Sequence, residues 1–321
     1  MQLLHRSIEI FRLQGLRGYL SAIQRYFLWH PLLDELRWRT HCLFGPKRPI
    51  PRNILGHTML LEPRLGGIHK QLFLYRYREV ECTRIFSEMI PRGAIVADIG
   101  ANIGYYTLIA AGVAKKVYAF EPSPQSVKLL FENTALNHYG DHVEIHEMAI
   151  SDSTGTASFS ISAVPNHHRL LSTAEGKPKK WIEVPTTTFD EFLKDGEVDV
   201  IRMDLEGAEW LVIRGMKNLM ARSKRPLRLF MEVHPPLMKR YGGDARTMFD
   251  LLFEHGFRIR HIVLFGYKHE YSKSFQNYLR AEYSPRQYVP ELSLPPDNQV
   301  HDENVRQILE NTAVYCLFMQ R

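Results

Sequence analysis

A glycine turn between two apolar runs constrains this chain more than any other part of its 321 residues. Residues 96–107 read VADIGANIGYYT, in which the first apolar run ends at Asp98, and Gly100 and Gly104 flank Asn102. Glycine is needed where the backbone takes a positive φ or approaches a ligand closely. The pattern therefore predicts a β-strand, a tight turn and a helix whose N-terminal N–H groups face the turn.

Two kinds of ligand could use such a turn. A dinucleotide places its pyrophosphate on the helix N-terminus and favours Gly-x-Gly-x-x-Gly, whereas Asn102 here replaces the middle glycine. Asp98 adds a negative charge, which suits a cationic ligand better. S-adenosylmethionine fits, because it carries an ammonium and a sulfonium but no phosphate. Glu121 ends the next apolar run, 17 residues after Gly104, about the spacing at which an acid accepts hydrogen bonds from ribose hydroxyls. The alternative is a structural turn with two surface acids.

The composition is typical of a globular protein, with 45% hydrophobic and 24% charged residues. The three cysteines show no metal-ligand spacing, which favours a reducing compartment without structural zinc. No apolar run approaches the roughly 20 residues that span a bilayer. Charged residues interrupt the N-terminal apolar residues, so we expect no signal peptide and a cytoplasmic protein.

The net charge of +6 is concentrated at the N-terminus. Residues 1–52 contain nine Lys and Arg and three acids, so the remaining 269 residues are balanced. We predict a basic helical extension and linker over 1–53, with prolines marking the linker at 45–53, and one domain over 54–321. The extension, with aromatic residues near its end, suits contact with a membrane surface or a partner protein. Alternatively, it packs on the domain as a helical cap or forms a dimer contact. The neutral domain argues against a nucleic-acid partner.

Apolar strands and helices alternate from residue 94 onward. The predicted strands are 94–98, 116–120, 143–150, 198–204, 227–233, 257–264 and 312–319, and the predicted helices are 104–113, 124–137, 188–195, 207–221 and 244–255. Such alternation predicts an α/β fold with a doubly wound, mostly parallel sheet. Two polar insertions interrupt it. Residues 265–311 are predicted to form a lid or a substrate loop with a short helix near 303–310. Residues 163–180 contain a histidine pair that fits a plain loop better than a metal site.

Acidic residues follow predicted strands at their carboxyl ends, where open α/β sheets bind ligands. Asp152 either accepts from the amine of an adenine or is a turn residue before Gly155. Asp204 ends another strand, and Glu206 and Glu209 open the next helix. Acids favour a helix N-terminus, but three carboxylates and a glycine in six residues exceed what a cap requires. We therefore predict a site at this strand end.

Glu232 and His234 lie at the end of the next strand and share one of its faces, because they are two residues apart. A histidine beside a glutamate is a general base, a metal ligand or a structural pair. The sequence leaves these three roles open.

The ordered set DIGANIGYYTL, AFEPSP, AISDSTG, VDVIRMDLEGAEW and MEVHP resembles the FkbM-type S-adenosylmethionine-dependent methyltransferases over about residues 54–265. The resemblance implies the class I methyltransferase fold, a Rossmann-like sheet of seven strands whose last strand is antiparallel. The isolated apolar run at the chain end agrees with that arrangement. The resemblance also implies methyl transfer, usually to a hydroxyl oxygen of a sugar or secondary metabolite. Residues 1–53 and 265–311 lie outside it.

The predicted cofactor contacts are Gly100 and Gly104 in the turn, Asp98 and Asn102 at the amino-acid end, Glu121 at the ribose and Asp152 at the adenine.

A neutral hydroxyl is a weak nucleophile, and a positioned base typically accelerates its reaction about 10²–10⁴-fold. His234 and Asp204 are the candidate bases, with Glu206 or Glu232 orienting the base or sharing its proton, and no metal is required. In the alternative mechanism these four residues hold Mg²⁺ or Mn²⁺, which lowers the pKa of the hydroxyl.

Two rival functions share parts of the pattern. A nicotinamide-dependent oxidoreductase would use the same sheet and Glu121, but Asn102 in the turn and the missing Tyr-x-x-x-Lys pair argue against it. A non-catalytic protein docked to a membrane through residues 1–52 is the other, and the acid-rich strand ends argue against it.

Overall fold

Residues 31–162, 168–172, 176–265, 291–294 and 314–321 are described by the structure, a computed structural model. Within these ranges the strands are β1 (Ile50–Ile54), β2 (His57–Leu61), β3 (Ile95–Ile99), β4 (Lys116–Phe120), β5 (Val143–His146), β6 (Ala149–Ser151), β7 (Gly155–Ser160), β8 (Arg169–Leu170), β9 (Trp181–Thr188), β10 (Val200–Asp204), β11 (Arg228–Val233), β12 (Arg258–Phe265), β13 (Glu291–Leu294) and β14 (Tyr315–Gln320). The α-helices are α1 (Pro31–Phe44), α2 (Gly67–Tyr75), α3 (Val80–Met89), α4 (Tyr105–Ala111), α5 (Pro124–Leu136), α6 (Phe189–Leu193), α7 (Glu209–Arg214), α8 (Lys217–Arg222), α9 (Pro235–Met238) and α10 (Ala245–Glu254).

The central sheet has the order β13-β12-β14-β11-β10-β3-β4-β5 in the described chain. Its strands β11, β10, β3, β4 and β5 pair in parallel, while β14 pairs antiparallel with both β11 and β12. The seven strands from β12 to β5 confirm the predicted class I methyltransferase sheet, including its antiparallel last strand. The eighth strand, β13, lies in the predicted lid insertion and pairs antiparallel with β12 at the edge of the sheet.

Helices cover both faces of this sheet, because successive strand residues point to opposite sides. Val96 and Val200 face one apolar cluster, to which α2–α5 contribute, whereas Ala97 and Ile201 face a second cluster with residues of α6, α7, α8 and α10. All four strand residues are fully buried. The doubly wound fold is thus confirmed, and the carboxyl ends of the parallel strands meet at one edge.

A second sheet, with the order β6-β9-β7-β8, was not predicted. The predicted strand at 143–150 divides, because the chain leaves the central sheet after β5, and β6 then pairs in parallel with β9. Tyr241 fixes this sheet to the domain by donating a hydrogen bond from its hydroxyl to the carbonyl of Leu170 (2.7 Å). An apolar run shows that a strand forms, but it does not show which strand becomes its partner.

The segment before the main sheet packs on the domain. β1 and β2 form a hairpin, so a strand begins within the linker predicted at 45–53. The side chain of Asn133 accepts a hydrogen bond from the N–H of Leu60 (2.6 Å), and Trp38 of α1 donates one to the carbonyl of Pro63 (2.8 Å). The described part of the extension therefore contacts the domain as a cap would. The predictions for residues 1–30, His167 and the helix near 303–310 lie outside the described residues.

No helix in the described ranges combines the length and apolar character that crossing a membrane requires.

Candidate active site

An open cleft lies at the carboxyl ends of β3, β4, β10 and β11. Residues of the glycine turn line one side, and Asp204, Glu206 and Glu232 line another. The second sheet contributes Arg169 and Leu170 of β8, next to His168, which precedes that strand. This is the edge at which open α/β sheets bind ligands. The second sheet thus narrows a cleft that the central sheet alone would leave open.

The glycine turn follows β3 and approaches β10 closely. Gly100 has a φ of +82°, and a Cβ atom built on it would overlap the backbone carbonyl of Asp204. Gly104, with a φ of +95°, precedes the first residue of α4, and a Cβ there would lie 2.7 Å from Leu130. Both positions require glycine because of positive φ and because of close contact. The predicted turn is confirmed in its backbone geometry.

Glu121 follows β4 and points its carboxylate at the turn. It accepts hydrogen bonds from the backbone N–H groups of Asn102 (2.9 Å) and Ser123 (2.8 Å). Burial raises the pKa of Glu121 to about 7, and the two N–H groups only partly offset this effect. Each carboxylate oxygen keeps a lone pair for a further donor.

Asn102 lines the same cleft. Its Oδ1 is buried without a hydrogen-bond partner among the described residues. A buried, unpaired acceptor is costly unless a ligand or water pairs with it, so this atom points to a donor supplied from outside the chain.

Arg202 connects the turn to β10. Its guanidinium donates to Asp98 (3.2 Å), to the carbonyl of Gly100 (2.9 Å) and to Asp204 (3.0 Å). Asp98 is fully buried and also accepts from the hydroxyl of Thr107 (2.6 Å). Burial raises the pKa of Asp98, although the Arg202 charge opposes this shift. Asp98 therefore lies behind the turn and supports it.

His234 and Glu209 form a buried pair beyond β11. The ring Nδ1 of His234 lies 3.0 Å from Glu209, whose carboxylate also accepts from the N–H groups of Leu205 (3.1 Å) and Gly207 (3.2 Å). Glu209 is 0% exposed and His234 is 3% exposed. The other ring nitrogen, Nε2, lies 3.7 Å from Glu232. Glu209 thus fixes the ring so that Nε2 is directed at the acids lining the cleft.

Burial and neighbouring charges shift the pKa values of Asp204, Glu232 and His234 in different directions. Burial and then the Asp204 charge raise the pKa of Glu232 well above its usual value. Burial would also raise the pKa of Asp204, but the positive charges of Arg202 and Arg78 outweigh it and lower that pKa. For His234, burial is outweighed by Glu209, which raises the pKa to about 10. At neutral pH Asp204 is ionised, whereas His234 holds a proton.

Three non-glycine residues at or beside the cleft adopt left-handed backbone conformations: Glu79 (φ +45°), Asn102 (φ +51°) and Glu206 (φ +53°). Such conformations cost roughly 1–3 kcal/mol each and cluster at functional sites. Beside Glu79, Arg78, whose side chain is 12% exposed, pairs with it and also lies 4.0 Å from Glu232. The strained positions support the interpretation of this edge as an active site.

The part of the sequence that forms the cleft matches a known protein family. A family model described as the methyltransferase FkbM domain matches residues 98–259, about half of the chain. The chain belongs to the FkbM methyltransferase family. Every predicted site residue lies in the matched region.

Two relatives resemble this FkbM protein in sequence. The hexuronic acid methyltransferase AglP of Haloferax volcanii is 30% identical over 143 residues, which cover 44% of this chain and 57% of AglP. The AMB antimetabolite synthetase AmbE of Pseudomonas aeruginosa is 24% identical over 81% of this chain, which corresponds to 15% of AmbE. The chain thus spans less than two thirds of either relative.

A solved FkbM methyltransferase structure from Methylobacillus flagellatus is 15% identical. The match has a TM-score of 0.31 and covers 50% of this chain and 41% of that one.

Six of the ten site residues predicted for this FkbM protein line the cleft, namely Gly100, Asn102, Glu121, Asp204, Glu206 and Glu232. Asp98, Gly104 and His234 support them from behind. Asp152, predicted at the adenine, forms an ion pair with Arg214 (3.2 Å). The cleft near it is lined instead by Met148, Ala149 and Ile150. The ligand contacts assigned to all ten residues stay predictions.

Sequence reasoning did not predict Arg78, Arg202 or the pairing of Glu209 with His234. The sequence could have indicated a role for Arg202, because a cation inside an apolar strand needs buried partners. Its neighbours Val200 and Asp204 share its face of the strand and indicate where such partners would lie. Arg78 lies in a segment without strand or turn motifs, so nothing in the sequence distinguished it.

Proposed function

We propose that the protein transfers a methyl group from S-adenosylmethionine to a hydroxyl oxygen of a sugar, a glycan or a secondary metabolite. The observation that carries this proposal is the arrangement of one cleft with two chemically different sides. The glycine turn with Glu121 forms one side, and the ionised Asp204 with Glu232, supported by His234 from behind, forms the other. A nucleoside and a hydroxyl acceptor would then meet between them.

The residues present fit this cofactor. The unpaired Oδ1 of Asn102 suits a donor such as the cofactor's ammonium, and the carboxylate of Glu121 suits ribose hydroxyls. Phe120 and Ile150 line the cleft with apolar surface for an adenine ring. The excess of carboxylates favours a ligand with positive charge. When bound, S-adenosylmethionine supplies a methyl group on a positively charged sulfur.

The chain's own residues orient the acceptor and receive its proton. Asp204 is ionised at neutral pH and can therefore receive the proton of the substrate hydroxyl. Arg202 fixes the orientation of this carboxylate through a 3.0 Å hydrogen bond. His234 keeps its proton in the ligand-free site, so as a base it would act only after a bound ligand alters this balance. Positioning of the two reactants can contribute up to about 7–11 kcal/mol to lowering the barrier.

A sugar acceptor is supported by the relative named as a hexuronic acid methyltransferase. Glycans present many hydroxyls, and the polar, open cleft suits such a ligand better than an apolar one. The exposed basic residues Arg48 and Lys47, which follow α1, suit the anionic surfaces near which glycan precursors are assembled. Co-sedimentation of the full chain with anionic but not with neutral vesicles would support this membrane contact.

Calorimetric titration tests the cofactor first. S-adenosylhomocysteine should bind with micromolar affinity, whereas NAD should not. Binding of NAD alone would contradict the proposal.

Transfer is then measured with radiolabelled methyl donor and candidate acceptors, including a hexuronic acid disaccharide and its neutral counterpart. A methyl ether survives mild alkali, whereas a methyl ester is hydrolysed. Label that survives alkali supports hydroxyl methylation, and label released by alkali would show that a carboxylate is the acceptor.

A further inference from the structure

The carboxyl ends of β10 and β11 bring together three side chains with metal-ligating atoms. One ligand atom each from Asp204, Glu232 and His234 lies within 4.8 Å of the other two. Oxygen ligands about 2.1 Å from a metal lie about 3 Å apart when adjacent and about 4.2 Å apart when opposite. Side-chain shifts of about 1 Å would therefore bring the three atoms into one coordination sphere.

The histidine is directed at this position, and its second ring nitrogen has no hydrogen-bond partner among the residues that the structure describes. His234 is 3% exposed, and its Nε2 lies 3.7 Å from Glu232 and 4.0 Å from Glu206, both beyond hydrogen-bonding distance. The Oε2 atom of Glu232 is also buried without a hydrogen-bond partner in the described chain. A buried carboxylate oxygen beside a ring nitrogen that makes no hydrogen bond indicates that something else completes this position.

Glu209 holds His234 in the way that a carboxylate commonly holds a metal-bound histidine. Metal-bound histidines almost always donate their second ring N–H to a carboxylate or carbonyl, which fixes the ring and its tautomer. Here Nδ1 lies 3.0 Å from Glu209, and two backbone N–H groups hold that carboxylate in place. This leaves Nε2, which faces the two acids, as the coordinating atom.

Carboxylates predominate on the side of the histidine that faces the cleft. Asp204, Glu206 and Glu232 lie there, whereas Glu209 contacts the other side of the ring. Arg202 and Arg78 approach the same group but also pair with Asp98 and Glu79. Carboxylate oxygens are the ligands that divalent cations such as Mn²⁺ bind.

We propose that Asp204, Glu232 and His234 bind one divalent cation, with Glu209 orienting the histidine. Two carboxylates and one imidazole suit Mn²⁺, while Mg²⁺ would bind more weakly because it prefers oxygen ligands only. The catalytic use of the cation rests on the proposed function. The cation would bind the acceptor oxygen and favour loss of its proton to Glu206, because Asp204, the proton acceptor of the metal-free site, would then be a cation ligand. The new O–CH₃ bond then forms as the S–CH₃ bond breaks, and the electron pair of the broken bond stays on sulfur.

The test measures Mn²⁺ binding directly. The full chain is freed of metal with a chelator, and free Mn²⁺ is followed by electron paramagnetic resonance without cofactor or acceptor. We expect one site per chain, weakened at least tenfold by Glu232→Gln or His234→Ala. Glu144→Gln, a half-exposed carboxylate on β5 that pairs with Lys116, is the matched control and should bind normally. No binding, or equal binding by all four proteins, would overturn the inference.

A second measurement keeps the test decisive if a variant fails to fold. Spin-echo modulation on Mn²⁺ bound to the unmodified chain should show coupling to one histidine nitrogen, and its absence would contradict the site. S-adenosylhomocysteine binding by the metal-free chain separates the two proposals. Cofactor binding without Mn²⁺ binding removes the cation site and leaves the proposed function standing.

Discussion

The two sides of the cleft are built in different ways. At the ends of β3 and β4, the turn presents backbone atoms around one carboxylate, and its shape depends on Gly100 and Gly104. At the ends of β10 and β11, side chains form the side of the cleft, and their positions depend on pairs of opposite charges. One side is defined by backbone conformation and the other by electrostatic balance.

This difference determines how each side responds to change. A backbone cradle depends on a few positions where no side chain fits, so a single added methyl group disturbs it. A buried charge network instead depends on every member, because removing one leaves another charge unpaired in a medium of low polarity. Arg202 belongs to both sides, since it contacts Gly100 and Asp204. Substitutions that affect one side alone or both sides therefore test the comparison.

The largest loss of stability is expected for substitution of Arg202, which contacts both sides of the cleft. Arg202→Met would leave Asp98 and Asp204 without their buried cation and should destabilise the fold by about 3–5 kcal/mol. Urea denaturation followed by tryptophan fluorescence measures this. Arg202→Lys keeps the charge but loses the forked geometry, so its stability should lie between those of the unmodified chain and Arg202→Met. A loss below about 1 kcal/mol for Arg202→Met would show that the two sides are independent.

The turn should respond next most strongly. Gly100→Ala places a Cβ against the carbonyl of Asp204 at a φ of +82°, so we expect a loss of about 2–3 kcal/mol from overpacking and strain. The matched control is Gly140→Ala, because Gly140 is exposed and a Cβ added there would meet no atom of the described chain within 4 Å. Thermal unfolding compares the two variants. Equal stability would mean that the turn adapts and that its glycines are not essential.

Substitution of Glu121 tests whether this carboxylate beside the turn contacts the ribose of the ligand. Glu121→Gln should weaken S-adenosylhomocysteine binding by about 1–3 kcal/mol, because ribose hydroxyls lose a charged acceptor. Since burial raises the pKa of Glu121 to about 7, only the ionised fraction binds well, and that fraction increases with pH. Affinity should therefore rise about tenfold from pH 6 to pH 8 in the unmodified chain. Calorimetry should find no such rise in the Gln variant, and a parallel rise in both would assign it to another group.

The smallest effect is expected at Asp152. Its ion pair with the half-exposed Arg214 is worth about 0.2–1 kcal/mol, and the neighbouring Ile150 lines the cleft in its place. Asp152→Asn should change cofactor affinity less than threefold in the same titration. A tenfold loss would instead support the contact with adenine that the sequence predicts.

Much of the sheet could be predicted because its signals are local. Each parallel strand is a short apolar run bounded by a loop, and the turn after β3 has its glycines in sequence order. The second sheet escaped prediction because β7 and β9 are partly exposed and rich in threonine and serine, so their apolar pattern is weak. β8 has only two residues and forms a strand only because β7 pairs with it.

The sequence by itself determined the family, the order of strands and helices, and the acids that end β4, β10 and β11. These features depend on neighbouring residues, whose spacing sets which side chains share a strand face or follow its end. Only the tertiary structure decided the partners: Arg202 meets Asp98 across 104 residues, and Glu209 orients His234 across 25. Such contacts depend on which strands become neighbours in the sheet, and packing of the whole domain sets that order.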